Sequence, residues 1–366
     1  MAKSQPVKPG PARVTLKEVA RRSGVGISTA GFALSGEGRV SRSTAERILA
    51  AAQELGYSPA SNRTARRMAS IRLGKPFANQ AIALFLPSYF PQFNYYHEIQ
   101  RGILDLLANE GYDLLTARLN EVVESSPLPH AVQAGEVDGA ITLEPELAAR
   151  LRALPSFGAR PIVGIINQFD QCSSVQADDE GGGCMAAGHL LDLGHRHILH
   201  FYCEGRYTFS ALRRIEGYHR ACRERGLDPR AIIHGFYTPS DLPPLEWAVR
   251  HLWEGLKRYP ETTALLTSND EIANVVYSAL ISAGRRVPEE ISLVGFDDVH
   301  AVSDVHGRNI LTTVNLSLRT LGEMAGRLLV ELIAGKVSGD VRETVPAQLV
   351  VRASTAAPRS SRANAS

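Results

Sequence analysis

The residues near the amino terminus whose types could do chemistry are arginines and hydroxyls, interleaved with small apolar side chains. They suit phosphate neutralisation and base contact rather than bond making. Arg21, Arg22, Arg39, Arg42, Arg63, Arg66 and Arg67 crowd one short stretch as phosphate candidates. The first 75 residues carry 14 Lys and Arg against 4 Asp and Glu, a net charge of +10, whereas the remainder carries 26 against 34, or −8. A basic head on an acidic body is the electrostatic footprint of phosphate binding at one end of a molecule. Catalytic motifs do not accompany it, because neither a Walker loop nor Gly-x-Ser-x-Gly occurs. Gly181-Gly182-Gly183 after Asp178-Asp179 lacks the Gly-x-Gly-x-x-Gly pattern of a phosphate loop. Cys172, Cys184, Cys203 and Cys222 show no ligand spacing, so they are expected as reduced thiols, and neither a metal nor a cofactor is expected. No enzyme is expected from these residues.

The elements that must position the basic cluster follow from local spacing. Thr15 and Glu18 form a capping box, and Leu16, Val19 and Ala20 share a face, which predicts a helix over Thr15–Arg22. Ser23-Gly24-Val25 makes a tight turn, and a short helix over Ile27–Leu34 is closed by Ser35-Gly36. Ser43 and Glu46 read as a second capping box, followed by the apolar stripe Ala45, Ile48, Leu49, Ala52 and Leu55. Helix, glycine turn and short helix make the helix-turn-helix plan, whose second helix is offered to the DNA major groove.

With Thr15-Leu16, Val19-Ala20, Gly24-Val25, Thr29, Val40-Ser41, Thr44, Arg47-Ile48 and Leu55-Gly56-Tyr57-Ser58-Pro59 in place, the segment resembles the headpiece of the LacI/GalR (lactose/galactose repressor) family of bacterial transcription regulators. The resemblance implies that Ile27 and Ser28 face base edges and that Thr29 contacts a phosphate, as Thr15 does besides capping its helix. Ile27 suits a thymine methyl, and Ser28 pairs with several bases. Where the family carries a base-contacting arginine, this chain has Phe32, which removes a guanine contact worth roughly 1–3 kcal/mol of discrimination. Phe32 either packs on a thymine methyl or turns inward onto the headpiece core. Family members follow the headpiece with a hinge helix that wedges an apolar side chain into the minor groove. Its pattern is matched by Asn62, Ala65, Arg66 and Met68, with Met68 in the wedge position and two extra residues, Ala60-Ser61, ahead of it.

From Ala81 the chain alternates apolar strand runs, beginning with Ala81–Leu86, with amphipathic helices such as Gly183–Leu193 and Ser210–Arg225. This predicts doubly wound parallel sheets, and the stretch exceeds one comfortable core. Family markers recur at Val137-Asp138-Gly139, Leu193-Gly194-His195-Arg196, Arg214–Tyr218, Ser268-Asn269-Asp270, Val294–Asp298 and Leu311–Val314. The resemblance therefore implies an all-α headpiece on an α/β core of two lobes, like the periplasmic sugar-binding proteins. The expected division is a disordered tail over 1–13, headpiece 14–58, hinge 59–79, core 80–356 and a disordered tail over 357–366. Lobe one takes 80–176 and 314–342, and lobe two 177–313 and 343–356.

The resemblance also places Tyr95, Tyr96, Asn167, Arg214, Asn269 and Asp297 at a ligand cleft, where parallel sheets bind ligands beyond the carboxyl ends of their strands. Aromatic faces with Arg, Asn and Asp make a sugar-like set. His195 reads as a structural helix-end residue. The tail after Arg352 has no apolar heptads, so a homodimer rather than a coiled-coil tetramer is expected. No apolar run of membrane-spanning length or signal-peptide core appears, which points to a cytoplasmic protein without a membrane partner. The expected function is a repressor binding near-palindromic operator DNA under control of a small-molecule, sugar-type effector. The alternatives are a sugar-binding protein without a regulatory role and a DNA-binding regulator with a ligand-free cleft.

Overall fold

The computed structural model describes residues 14–35, 40–57, 79–87, 93–119, 123–201, 209–236 and 244–359. It divides into two compact units, residues 1–79 and 80–366. In the first, α1 (Leu16–Ser23), α2 (Ile27–Ser35) and α3 (Arg42–Leu55) enclose Val19, Ala20, Ala30, Ile48, Ala51, Ala52 and Tyr57. Thr15 and Glu18 make the expected reciprocal cap, with the Glu18 carboxylate accepting from the Thr15 backbone N–H at 2.7 Å. Gly24 ends α1 at φ +68°, in the left-handed region where a side chain would be strained.

The expected Ser43–Glu46 box does not form. Ser41, extended at φ −60° and ψ 146°, caps α3 by accepting the Thr44 N–H at 3.3 Å. Ser43 is already inside the helix, and Glu46 pairs with Arg42 one turn back at 3.1 Å.

The second unit holds two six-stranded sheets. The first has the order β11-β5-β4-β3-β1-β2, built from β1 (Ala81–Leu86), β2 (Asp113–Arg118), β3 (Gly139–Thr142), β4 (Ile162–Ile165), β5 (Ser173–Ala177) and β11 (Arg342–Val345). The second has the order β12-β10-β9-β8-β6-β7. It comprises β6 (Ile198–Phe201), β7 (Ile233–Phe236), β8 (Ala264–Thr267), β9 (Ser292–Asp297), β10 (Thr312–Asn315) and β12 (Gln348–Val350). Every pairing is parallel except β10 with β12. Runs such as Ile82–Phe85 are wholly buried, as strands covered on both faces must be.

The chain crosses between sheets after β5, after β10 and after β11. Because β11 pairs with β5 as far as Val345↔Ala177, residues 343–345 belong to lobe one, beyond the boundary expected at 342. Pro358 is buried, so packed structure also outlasts the end expected at 356.

α7 (Asp179–Asp192) begins four residues before the expected Gly183. Asp178 accepts the Gly181 N–H at 2.8 Å, and this cap overrides the poor helix propensity of three glycines. α7 packs against α8 (Phe209–Glu224), and Gly183 and Gly217 let the backbones touch. A Cβ on Gly217 would collide with the Glu180 carbonyl, and one on Gly183 with the Arg214 carbonyl. This close approach sets the position of Arg214.

Candidate DNA-reading face and effector cleft

On α2 the side chains sort by face. Ala30 is buried, Thr29 half-buried, and Ile27, Ser28 and Phe32 lie exposed, with Ile27 50% and Phe32 38% accessible. Phe32 sits one helical turn after Ser28, on the same side, and is not part of the headpiece core. Of the two orientations open to it, the structure has the outward one. Thr15 is exposed but committed to its cap, since its hydroxyl donates to Glu18 Oε2 at 2.9 Å. Arg39, Asn62, Arg66 and Met68 lie outside the described residues, as do Arg63 and Arg67.

In the second unit three of the expected effector residues, Arg214, Asp297 and Tyr95, converge on one buried cluster. α8 carries Arg214 into lobe two. There Nε donates to Asp179 Oδ1 at 2.8 Å, Nη1 to the Ser268 carbonyl at 2.5 Å and Nη2 to Asp297 Oδ1 at 3.2 Å, with the guanidinium 3.9 Å above the Phe296 ring. Burial opposes the Arg214 charge, yet Asp179 and Asp297 outweigh it and hold the guanidinium above its ordinary range. Asp179 itself is raised by burial, against which Arg214 works.

Tyr95, from α4 (Phe93–Asn109) of lobe one, faces the same charges. Burial and then the Asp297 and Asp179 carboxylates push its phenol well up. It meets Tyr96 edge to face at 5.3 Å.

Two expected residues are largely used internally. Asn269 caps α11 (Asp270–Ser282) by accepting the Ile272 N–H at 2.8 Å. Asn167 donates to the Leu143 carbonyl at 2.7 Å, tying together the ends of β3 and β4. His195 is buried among Thr263, Ser292 and the Ala356 carbonyl, and burial lowers it to about 4, so it is a neutral structural post.

Ser268, Tyr218 and Asp270 were legible in the sequence only as parts of family markers. Asp179 was visible only as part of Asp178-Asp179. Ser268 Oγ and Tyr218 Oη, both close to the Arg214 cluster, are buried without a hydrogen-bond partner. Asp270 is fully buried, accepting from Thr313 Oγ1 at 2.5 Å and from the Val299 N–H at 2.9 Å. Burial, then the Asp297 charge, raise it to about 8. Asp270 thereby holds the segment whose His300 meets Asn94 of lobe one, Nε2 to Nδ2, at 3.3 Å.

A cavity of about 400 Å³ opens between the lobes, lined by Asn94, Glu98, Asp297, Asp298, Asn315 and Ser317 among others. Of the expected set only Asp297 lines it, while Arg214 and Asn269 are buried behind. Ile166, Asp297, Asp298 and Ser317 all have positive φ, between 51° and 101°. Such strain in residues other than glycine gathers where ligands are clamped. All four stand at or just beyond strand carboxyl ends, where open parallel sheets bind ligands.

The fold and cleft define a two-lobed binding core of the periplasmic binding protein type, joined in sequence to a helix-turn-helix head. Residues 187–355 match the periplasmic binding protein-like domain, and residues 15–60 match the bacterial regulatory proteins of the lacI family. The HTH-type transcriptional regulator CelR of Thermobifida fusca is 28% identical over 93% of this chain and 98% of its own length. The HTH-type transcriptional repressor PurR of Haemophilus influenzae is 29% identical over 89% and 93%. Among solved structures, a CelR–cellobiose complex aligns with TM-score 0.64 at 26% identity, covering 93% of this chain and 100% of that one. The lac repressor dimer bound to operator and the anti-inducer ONPF aligns with TM-score 0.69 at 25% identity, covering 94% and 99%. The chain thus carries a lacI-family helix-turn-helix domain and a periplasmic binding protein-like domain: it is a DNA-binding transcriptional regulator with a ligand-binding cleft, and its relatives are regulators rather than enzymes. Among the described residues no helix is long and apolar enough to cross a membrane.

Proposed function

We propose that the protein is a cytoplasmic repressor that binds a near-palindromic operator as a homodimer and is released or recruited by a neutral, sugar-type effector in the interlobe cleft. The observation that carries the effector reading is the Arg214 cluster. Its guanidinium is already spent on Asp179, Asp297 and the Ser268 carbonyl, with Asp298 and Glu98 nearby. Asp298 pairs with Arg352 at 2.9 Å, Glu98 with Arg101 at 3.1 Å and Arg319 with Asp105 at 2.6 Å, so these charges are already matched and the lining favours a neutral, hydroxyl-rich ligand over an anion. Relatives support it, since one solved structure holds cellobiose and another an operator.

In this reading Ile27, Ser28 and Phe32 face base edges while Thr15, Thr29 and Arg39 contact phosphates. Asn62, Arg66 and Met68 of the 59–79 hinge enter the minor groove. Asp297 faces the effector, Arg214 and Asn269 back the wall it lies on, and Tyr95, Tyr96 and Asn167 complete the set. Effector and operator act on one another reciprocally, because both bias a single equilibrium between two core states.

Selection of genomic fragments by the purified protein across a salt series tests the head. One near-palindromic motif is expected, with affinity falling about 10³–10⁵-fold between 50 and 200 mM salt if 6–10 phosphates are contacted. Recovery of unrelated fragments would overturn sequence-specific regulation. Calorimetry with a panel of sugars, cellobiose included, tests the cleft, and heat from none of them would favour a regulator without a sugar effector.

A further inference from the structure

Away from the cleft, three chain segments bring His197, His234 and Glu261 together. A ring nitrogen of each histidine and a carboxylate oxygen of Glu261 all lie within 4.8 Å of one another, with His197 Nδ1 3.9 Å from Glu261 Oε1. We propose that these three residues form a divalent-cation site of the zinc type at the amino-terminal edge of the second lobe's sheet.

The placement follows from topology. His197 immediately precedes β6, His234 is the second residue of the edge strand β7, and Glu261 lies in the turn leading into β8. In a parallel sheet these positions share one end, and the Arg214 partners Ser268 and Asp297 sit at the other, about 13 Å or more away along a four-residue strand.

Each donor is held. The His234 ring stacks flat on Tyr259 at 4.4 Å and 5°. The His197 ring runs nearly parallel to it, 6.5 Å away and inclined by 19°. The Glu261 turn is fixed on both sides: Thr262 donates its hydroxyl to the Tyr259 carbonyl at 2.7 Å, and the Thr263 N–H donates to the His197 carbonyl at 2.9 Å.

A second observation concerns the same His234 side chain. His234 Nε2 is buried and has no hydrogen-bond partner. A buried polar atom left in that condition asks for an ion, a water or another explanation. Two imidazoles and one carboxylate are a donor set that zinc accepts at about 2.0–2.2 Å, leaving a fourth position for water or a small ligand. Ligand atoms on such a centre stand about 3.3 Å apart, so the present arrangement closes with movements of about 1.5 Å or less. His197 and Glu261 are about half exposed and free to swing by that amount. The bound ion would staple the edge pair β6–β7 to the turn before β8. It would act on lobe two's rigidity, without touching the effector.

The test uses the full-length protein freed of metal. Cobalt(II) titration followed by visible absorption is expected to show one saturable site of mixed nitrogen and oxygen ligation, without the intense ultraviolet band that thiolate ligation produces. Zinc calorimetry should give the same stoichiometry. Zinc at a hundredfold excess over its Kd should raise Tm by about 5 °C. His197→Ala and Glu261→Gln change exposed side chains and leave the fold intact, and each should weaken binding by more than about tenfold and abolish the Tm rise. No saturable site at micromolar metal, a thiolate band, or variants that bind like the parent would each overturn the assignment.

Discussion

Replacing Arg214 by Met removes the centre of the buried cluster while keeping an unbranched side chain to pack on Phe296. The substitution deletes three charge-assisted hydrogen bonds, to Asp179, Asp297 and the Ser268 carbonyl. It leaves Asp179 and Asp297, 5% and 3% exposed, as neighbouring carboxylates without their cation. Breaking a buried pair from one side costs about 3–5 kcal/mol, mostly the penalty on the charge left behind. For a core of this size each kcal/mol lowers Tm by about 2 °C, so a fall of roughly 6–10 °C is expected at pH 8.

The deficit should depend on pH in a definite direction. Without Arg214 burial is unopposed, and the folded-state pKa of Asp179, already raised in the parent, climbs further above its unfolded value, with the neighbouring Asp297 carboxylate losing the same cation. The folded variant then holds protons that the unfolded chain gives up, and its stability falls as pH rises through those values. Thermal unfolding followed by circular dichroism at pH 5 and pH 8 should therefore show a smaller gap from the parent at pH 5. Adding Asp179→Asn should recover part of the loss at pH 8, since one stranded charge is gone. A variant as stable as the parent at pH 8, or a deficit that does not shrink on acidification, would refute the reasoning.

Three further outcomes are expected. Asp270 is held protonated near neutrality by burial and the Asp297 charge, at about 8, so the parent should lose stability as pH rises from about 4 to about 8. Asp270→Asn, whose amide can donate to Thr313 Oγ1 in place of the bond that Asp270 accepts and whose carbonyl can accept from the Val299 N–H, should flatten that part of the pH–Tm curve. Phe32→Ala should weaken operator binding in a mobility-shift assay without lowering headpiece Tm, because the ring is exposed and outside the core; Phe32→Arg should shift the selected operator toward guanine at one position. Gly217→Ala forces a methyl into the Glu180 carbonyl and should cost about 1–3 kcal/mol, read as a lowered denaturation midpoint.

Features that depend on neighbours a few residues away were readable from the chain. The Thr15–Glu18 box closes over three residues, and the apolar runs of β1, β4 and β8 declare strands buried on both faces. Spacing alone therefore placed the helix-turn-helix and the α/β alternation, and the family markers added the two lobes. Short-range reading also missed caps: α3 is capped by Ser41 rather than by the expected Ser43, and Asp178 starts α7 four residues before the expected Gly183.

Tertiary structure alone decided the rest. The pairing of Arg214 with Asp179 and Asp297, the approach of His300 to Asn94, and the meeting of His197, His234 and Glu261 each join residues from separate strand–helix units. Only the folded topology also reveals that Asn269 and Asn167 spend hydrogen-bonding groups on the scaffold and that Phe32 points outward. The physical reason is that capping and periodicity are short-range. Desolvation and ion pairing depend on every atom packed around a group, and no span of sequence contains that list.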